Sequence, residues 1–126
     1  MNIIARLCLV AAFTLSTTAA AAAEADAASA LPRHLRDTGL FVAGSMSQIR
    51  PENLPFSPQY PLWSDGAAKR RWLYLPPGTA IDGSKPDAWE FPRGTRLWKQ
   101  FSQGRAIETR FIERRTDGSW QYGTYI

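Results

Sequence analysis

Past Trp63 the side chains alternate, and this alternation restricts the fold more than any other feature of the chain. In 95–101, Thr95, Leu97, Lys99 and Phe101 fall on one side, with Arg96, Trp98 and Gln100 on the other. In 105–114, Ile107, Thr109 and Phe111 oppose Glu108, Arg110 and Ile112. At the end, Trp120, Tyr122, Thr124 and Ile126 oppose Ser119, Gln121, Gly123 and Tyr125. Period two is the signature of a strand, whose successive side chains leave opposite faces. Helical periodicity is poor here, and aromatic and β-branched residues are frequent. The pattern predicts strands at 71–75, 95–101, 105–114 and 119–126, with short candidates at 79–82 and 88–91. Ser102-Gln103-Gly104 and Asp117-Gly118 read as hairpin loops. The expected fold is mainly β: an antiparallel meander, part of a sandwich or jelly-roll-like barrel, with an irregular N-terminal leader.

That leader spans 32–62. Pro32 to Phe41 holds one helical turn stopped by Gly39, and 47–54 reads as a second short turn. Pro51, Pro55, Pro58 and Pro61 exclude regular structure through PENLPFSPQYPL, because proline lacks the amide donor. Such a segment is expected to wrap over a sheet. A local echo lies further on: Leu75-Pro76-Pro77-Gly78-Thr79 recurs as Phe91-Pro92-Arg93-Gly94-Thr95. A Pro-x-Gly turn feeding a threonine-led strand is favourable at both places. Two copies are read as equivalent corners of one sheet, not as a solenoid.

Residues 1–23 carry the order of a secretory signal: Arg6, an apolar stretch from Leu7 to Leu15, then small residues with a cleavage site near Ala21–Ala23. The apolar stretch is shorter than the ~20 residues a spanning helix needs. The expected location is the periplasm or the exterior, with no membrane attachment after cleavage. Residues 24–31 read as a linker and 32–126 as one β-rich domain, a size that supports a single modest core. Cys8 leaves with the signal, so no disulfide, thiol nucleophile or covalent haem attachment is expected in the domain. His34 is its one histidine, whereas transition-metal sites recruit several His or Cys. Without Arg6 the chain has 14 basic and 11 acidic residues, net +3, interspersed along the sequence. A nucleic-acid binder concentrates its basic residues on one face, so no nucleic-acid partner is expected.

The densest polar and aromatic cluster runs from Trp63 to Trp72, joined by Trp98-Lys99 and Glu108-Thr109-Arg110. Two readings are open. In one, Trp63, Asp65, Lys69, Arg71, Trp98, Lys99, Glu108 and Arg110 form a binding groove, with indoles as platforms and charged groups as hydrogen-bond partners. In the other they are structural: Asp65 shapes a turn before Gly66, Glu108 and Arg110 share one strand face suited to cross-strand ion pairs with Lys69 or Lys99, and the tryptophans fill the core. Enzyme readings find little to work with. Paired carboxylates for glycoside hydrolysis would have to come from Asp65, Glu90 and Glu108, and a Ser-His-Asp triad would depend on His34 in the leader. No phosphate loop is present.

The series Leu31-Pro32, Asp37-Thr38-Gly39-Leu40-Phe41, Pro61-Leu62-Trp63-Ser64-Asp65-Gly66-Ala67-x-Lys69, Leu75-Pro76-Pro77-Gly78-Thr79, Phe91-Pro92-x-Gly94-Thr95 and Glu108-Thr109-Arg110 resembles the N-terminal domain of a family of bacterial periplasmic proteins related to or fused with c-type cytochromes. The resemblance covers about residues 31–126, and its P-L-W-S-D-G-A-x-K string is the specific part. In that family further β structure and often a C-x-x-C-H haem site follow. This chain contains no C-x-x-C-H. The resemblance implies a periplasmic β domain associated with a redox system, with haem c carried by a downstream module and no cofactor of its own.

The expected function is therefore a non-catalytic β domain in a structural or docking role, partnered by a periplasmic redox protein or a C-terminal module. The alternative is a carbohydrate-binding module using exposed tryptophans. The strand-like finish at Ile126 leads us to expect the N-terminal part of a longer protein. An unpaired last strand would leave a sheet edge open to association.

Overall fold

A computed structural model of the chain describes residues 30–126; the expected signal and most of the expected linker lie outside them. Five strands form one antiparallel sheet in sequence order: β1 (Leu54–Pro55), β2 (Ala68–Tyr74), β3 (Arg96–Gln103), β4 (Arg105–Arg114) and β5 (Trp120–Tyr125). This is the expected mainly-β meander. The long β4 falls where alternation placed it, and β5 is bounded by the Asp117-Gly118 turn, where Gly118 adopts φ 88.

Register settles which side chains share a face, since directly opposed residues point the same way. Trp72, Trp98, Phe111 and Gly123 form one row across β2–β5. Beside it runs Tyr74, Arg96, Glu113 and Gln121. The leader lies on this face. Leu40 and Phe41 are buried with Trp72, Trp98 and Phe111, and Leu35, Ile49, Tyr74 and Tyr125 pack around them. Trp98 and Phe111 meet at 5.7 Å between ring centroids. The leader thus supplies the second layer that one apolar sheet face requires.

Polar groups pin the leader in place. The Trp98 indole N–H donates to Thr38 Oγ1 (2.9 Å), whose own hydroxyl donates to the Leu35 carbonyl (2.7 Å). Buried Asn53 donates through Nδ2 to the carbonyls of Gly39 and Leu40, at 3.0 Å each. The Tyr125 hydroxyl donates to the Pro32 carbonyl at 2.7 Å. Leu35–Thr38 form one 3₁₀ turn, ended by Gly39 at φ 84 as its sequence predicts. Leu31 fills the notch over Gly123, where any Cβ would come within 2.9 Å of its Cδ2.

Several local expectations change. The 79–82 and 88–91 segments are not strands; they share one bridge, Asp82 with Glu90, joined by two 2.9 Å backbone bonds. Between them Asp82 Oδ1 accepts the Ser84 amide at 2.9 Å, a local bond that competes with pairing. The short turn expected within 47–54 forms at Pro51–Glu52, closed by the Asn53 amide on the Arg50 carbonyl at 3.0 Å, after Phe41 bridges to Ile49 and before β1. β1 contains Pro55 despite its missing donor, because β1 is an edge strand. Ser102 and Gln103 extend β3, so Gly104 (φ 70) makes the reversal, and a bulge after Phe101 absorbs the extra residue.

The two Pro-x-Gly-Thr turns share one geometry, although only the second feeds a strand, β3. In each, the threonine amide (3.2 Å) and hydroxyl (2.7 Å) both donate to the carbonyl of the turn's first proline, Pro76 or Pro92. Gly78 and Gly94 take φ 75 and 86, the third turn position that excludes most side chains.

Candidate functional site

The opposite sheet face is built from the alternate residues. Leu73, Leu97, Ile112 and Tyr122 make one row, Arg71, Lys99, Arg110 and Thr124 the next, and Lys69, Phe101 and Glu108 a third. At one end the 76–94 excursion folds over, with Phe91 edge-on to Trp120 at 5.9 Å. Between that end and the turn before β2, Arg110, Tyr122 and Thr124 are exposed while Leu73, Leu97 and Ile112 are half-buried.

Five of the eight candidate residues converge here: Lys69, Arg71, Lys99, Glu108 and Arg110. Arg71, Lys99 and Arg110 are direct cross-strand partners, so three cations lie side by side. Glu108 Oε1 accepts from Arg110 Nε within β4, in place of the expected cross-strand pair with Lys69 or Lys99, because the two residues share one face of the same strand. Lys99 Nζ and the Arg110 guanidinium both lie over the Phe101 ring, at 4.8 and 4.9 Å from its centroid. Burial, then the nearby Arg71, Lys69 and Arg110 charges, push the Lys99 amine below its usual value, against an opposing pull from Glu108. Phe101 was missed as a site residue, although the period-two reading had already placed it beside Lys99.

Trp63 and Asp65 stand at the end of this face. Ser64–Ala67 is a tight turn closed by a 2.8 Å backbone bond, with Asp65 at φ 49 and Gly66 at φ 77. Both central residues are left-handed, the geometry that joins strands without splaying them and that favours Asp-Gly. Asp65 Oδ1 accepts the Trp63 indole N–H at 3.2 Å. Trp63 is 84% exposed and lines a cleft of about 520 Å³ with Pro58, Pro61, Leu62, Lys69 and Arg71. Lys69 Nζ also donates to the Leu62 carbonyl, tying this loop to β2.

Trp98 does not belong to this site. It is 1% exposed on the sealed face, with its N–H spent on Thr38. Trp72 is buried beside it. Trp89, 58% exposed, lies next to Glu90, which reaches Arg114 at 3.7 Å near the start of β3. Trp63 sits at the other end, where Gln103 Nε2 donates to the Asp65 carbonyl at 3.3 Å. The length of β3 separates them, roughly 25 Å at ~3.3 Å per residue, so the exposed indoles do not form one platform.

A second cleft, about 630 Å³, opens between the leader and the far end of the sheet, lined by His34, Met46, Ile107 and Tyr125 among others. Among the described residues, no three or more His, Cys, Asp or Glu side chains are grouped so that they could hold a metal ion. No protein-family model, no curated protein and no solved structure matches this chain.

Proposed function

We propose that this chain is a non-catalytic docking domain of a periplasmic protein related to c-type cytochromes, and that the uncovered sheet face receives the haem-carrying partner. The observation that carries the reading is the inequality of the two faces. One is sealed by the leader around Trp98. The other keeps Tyr122 66% exposed and continues into a segment where Tyr60, Leu62 and Trp63 are each at least 80% exposed. Large apolar side chains gathered in solvent mark an interaction surface. The periplasmic location and the cytochrome partner rest on the sequence resemblance.

The test is a photo-crosslinking residue placed at Tyr122 and, separately, at Leu62, with the protein exported in its native host. The expected adduct carries covalent haem, visible by its peroxidase stain after denaturing electrophoresis. Adducts without covalent haem, or none from either position, would overturn the reading.

A second reading, a carbohydrate-binding module, has one observation in its favour: Trp63 exposed beside an open cleft. Titrating neutral oligosaccharides against tryptophan emission tests it. An unchanged spectrum removes it.

A further inference from the structure

We propose that the Arg71–Lys99–Arg110 row, with Lys69 beside it, is the electrostatic half of the docking face and takes a run of carboxylates on an acidic protein partner. The inference rests on the docking reading and adds the chemistry of the partner.

Register makes the case. The three cations are direct cross-strand neighbours, and adjacent strands lie about 4.8 Å apart. Like charges directly opposite one another destabilise a sheet. The fold nevertheless holds three in line, and the neighbouring carboxylate, Glu108, is engaged by Arg110. Lys99 and Arg110 both lie over the Phe101 ring, at 4.8 and 4.9 Å. The row therefore presents adjacent positive charges, offset only in part by Glu108, that an anionic partner relieves. Guanidinium forks match carboxylates in two-point contact, and Lys69 and Lys99 add point charges.

A folded protein suits this face better than an acidic polysaccharide. Leu73, Leu97 and Ile112 run alongside the cations, and a protein partner would cover that apolar strip while its acidic rim meets the row. The one indole near the row, Trp63, has already given its N–H to Asp65, which leaves it without the polar handle that helps an aromatic platform orient a sugar.

The experiment measures binding of a fluorescein-labelled hexaglutamate peptide by anisotropy, with an oligogalacturonate of equal charge as competitor. Hexaglutamate is expected to bind and to weaken about tenfold between ~20 and ~300 mM salt, as screening shortens the reach of exposed charge. The double variant Arg71→Glu/Arg110→Glu is expected to lose at least about tenfold, and the milder Lys99→Gln about threefold. Arg36→Glu, exposed on the leader, should leave affinity unchanged. Near-UV circular dichroism establishes that each variant is folded. No binding, insensitivity to salt, an equal loss in Arg36→Glu, or tighter binding of the oligogalacturonate would each overturn the proposal. Haem adducts from Tyr122 without hexaglutamate binding would remove the carboxylate assignment alone. Hexaglutamate binding without haem adducts would remove the cytochrome partner alone.

Discussion

Trp98 and Lys99 are neighbours in the chain and opposites in the fold. Trp98 points into the sealed layer, where its ring packs on Phe111 and its N–H reaches Thr38 across 60 residues of sequence. Lys99 points the other way, between two arginines whose charge it shares. The Thr38 hydroxyl and the Asn53 amide that pin this layer have their partners within the fold, and these residues serve stability. Around Lys99 the fold tolerates repulsion, and repulsion that folding does not need is the mark of a surface kept for something else. The same strand thus separates what holds the domain together from what the domain offers.

The contrast can be broken most forcefully at Trp98. Trp98→Ala is expected to cost about 3–5 kcal/mol, a large part of the 5–15 kcal/mol that typically holds a domain. Urea denaturation followed by far-UV circular dichroism measures it. A loss under about 1 kcal/mol would mean that the leader is not a true second layer.

Asn53→Ala comes next. It leaves the Gly39 and Leu40 carbonyls without their side-chain donor, at a cost of about 2 kcal/mol. Hydrogen exchange should then accelerate at the Arg50 amide, which bonds to Leu40, before it does in β3 and β4. Equal acceleration everywhere would show that leader and sheet open as one unit.

On the open face the sign reverses. Lys99→Gln is expected to stabilise the fold by about 0.5 kcal/mol, because it removes a like charge opposite two others. The pH dependence has a definite direction. The Lys99 amine titrates below 10.5 in the folded chain, so the unfolded chain binds more protons between the folded value and 10.5. Stability contributed at this site therefore rises with pH through that window. Denaturation midpoints measured through the alkaline range should show the rise in the parent chain and its loss in Lys99→Gln. A destabilised Lys99→Gln would place Lys99 among the structural residues instead.

The smallest effect belongs to the last hairpin. The Ser119 hydroxyl and amide hold Asp117 below its usual value of 3.8. A carboxyl depressed by folding stabilises above its unfolded pKa, and that contribution is lost as pH falls below 3.8 toward the folded value. Asp117→Asn should make acid unfolding slightly less steep there. An unchanged acid limb would remove Asp117 from the account and leave the two-face contrast intact.

Much of the framework could be read without coordinates because it is local. Alternation in 95–101 and 105–114 separates the two faces residue by residue, and the Pro-x-Gly-Thr corners follow from turn chemistry. The leader resisted such reading. Asn53 sits in a proline-rich stretch with no period, and nothing local says that its amide will reach carbonyls 13 and 14 residues earlier. The 79–82 and 88–91 segments failed for a related reason: a short run becomes a strand only if a neighbour accepts it.

Of the candidate site, sequence supplied the residue types, and register sorted them. Lys69, Arg71, Lys99, Glu108 and Arg110 could be named from composition and spacing. Which tryptophans turn inward could not, because Trp63, Trp72 and Trp98 carry the same chemistry and differ only in what lies over them. Backbone stereochemistry is encoded residue by residue, so the chain by itself determines strands, turns and the two sides of each strand. Pairing and coverage depend on segments far apart in sequence, so only the tertiary structure decides which side is sealed and which stays in water.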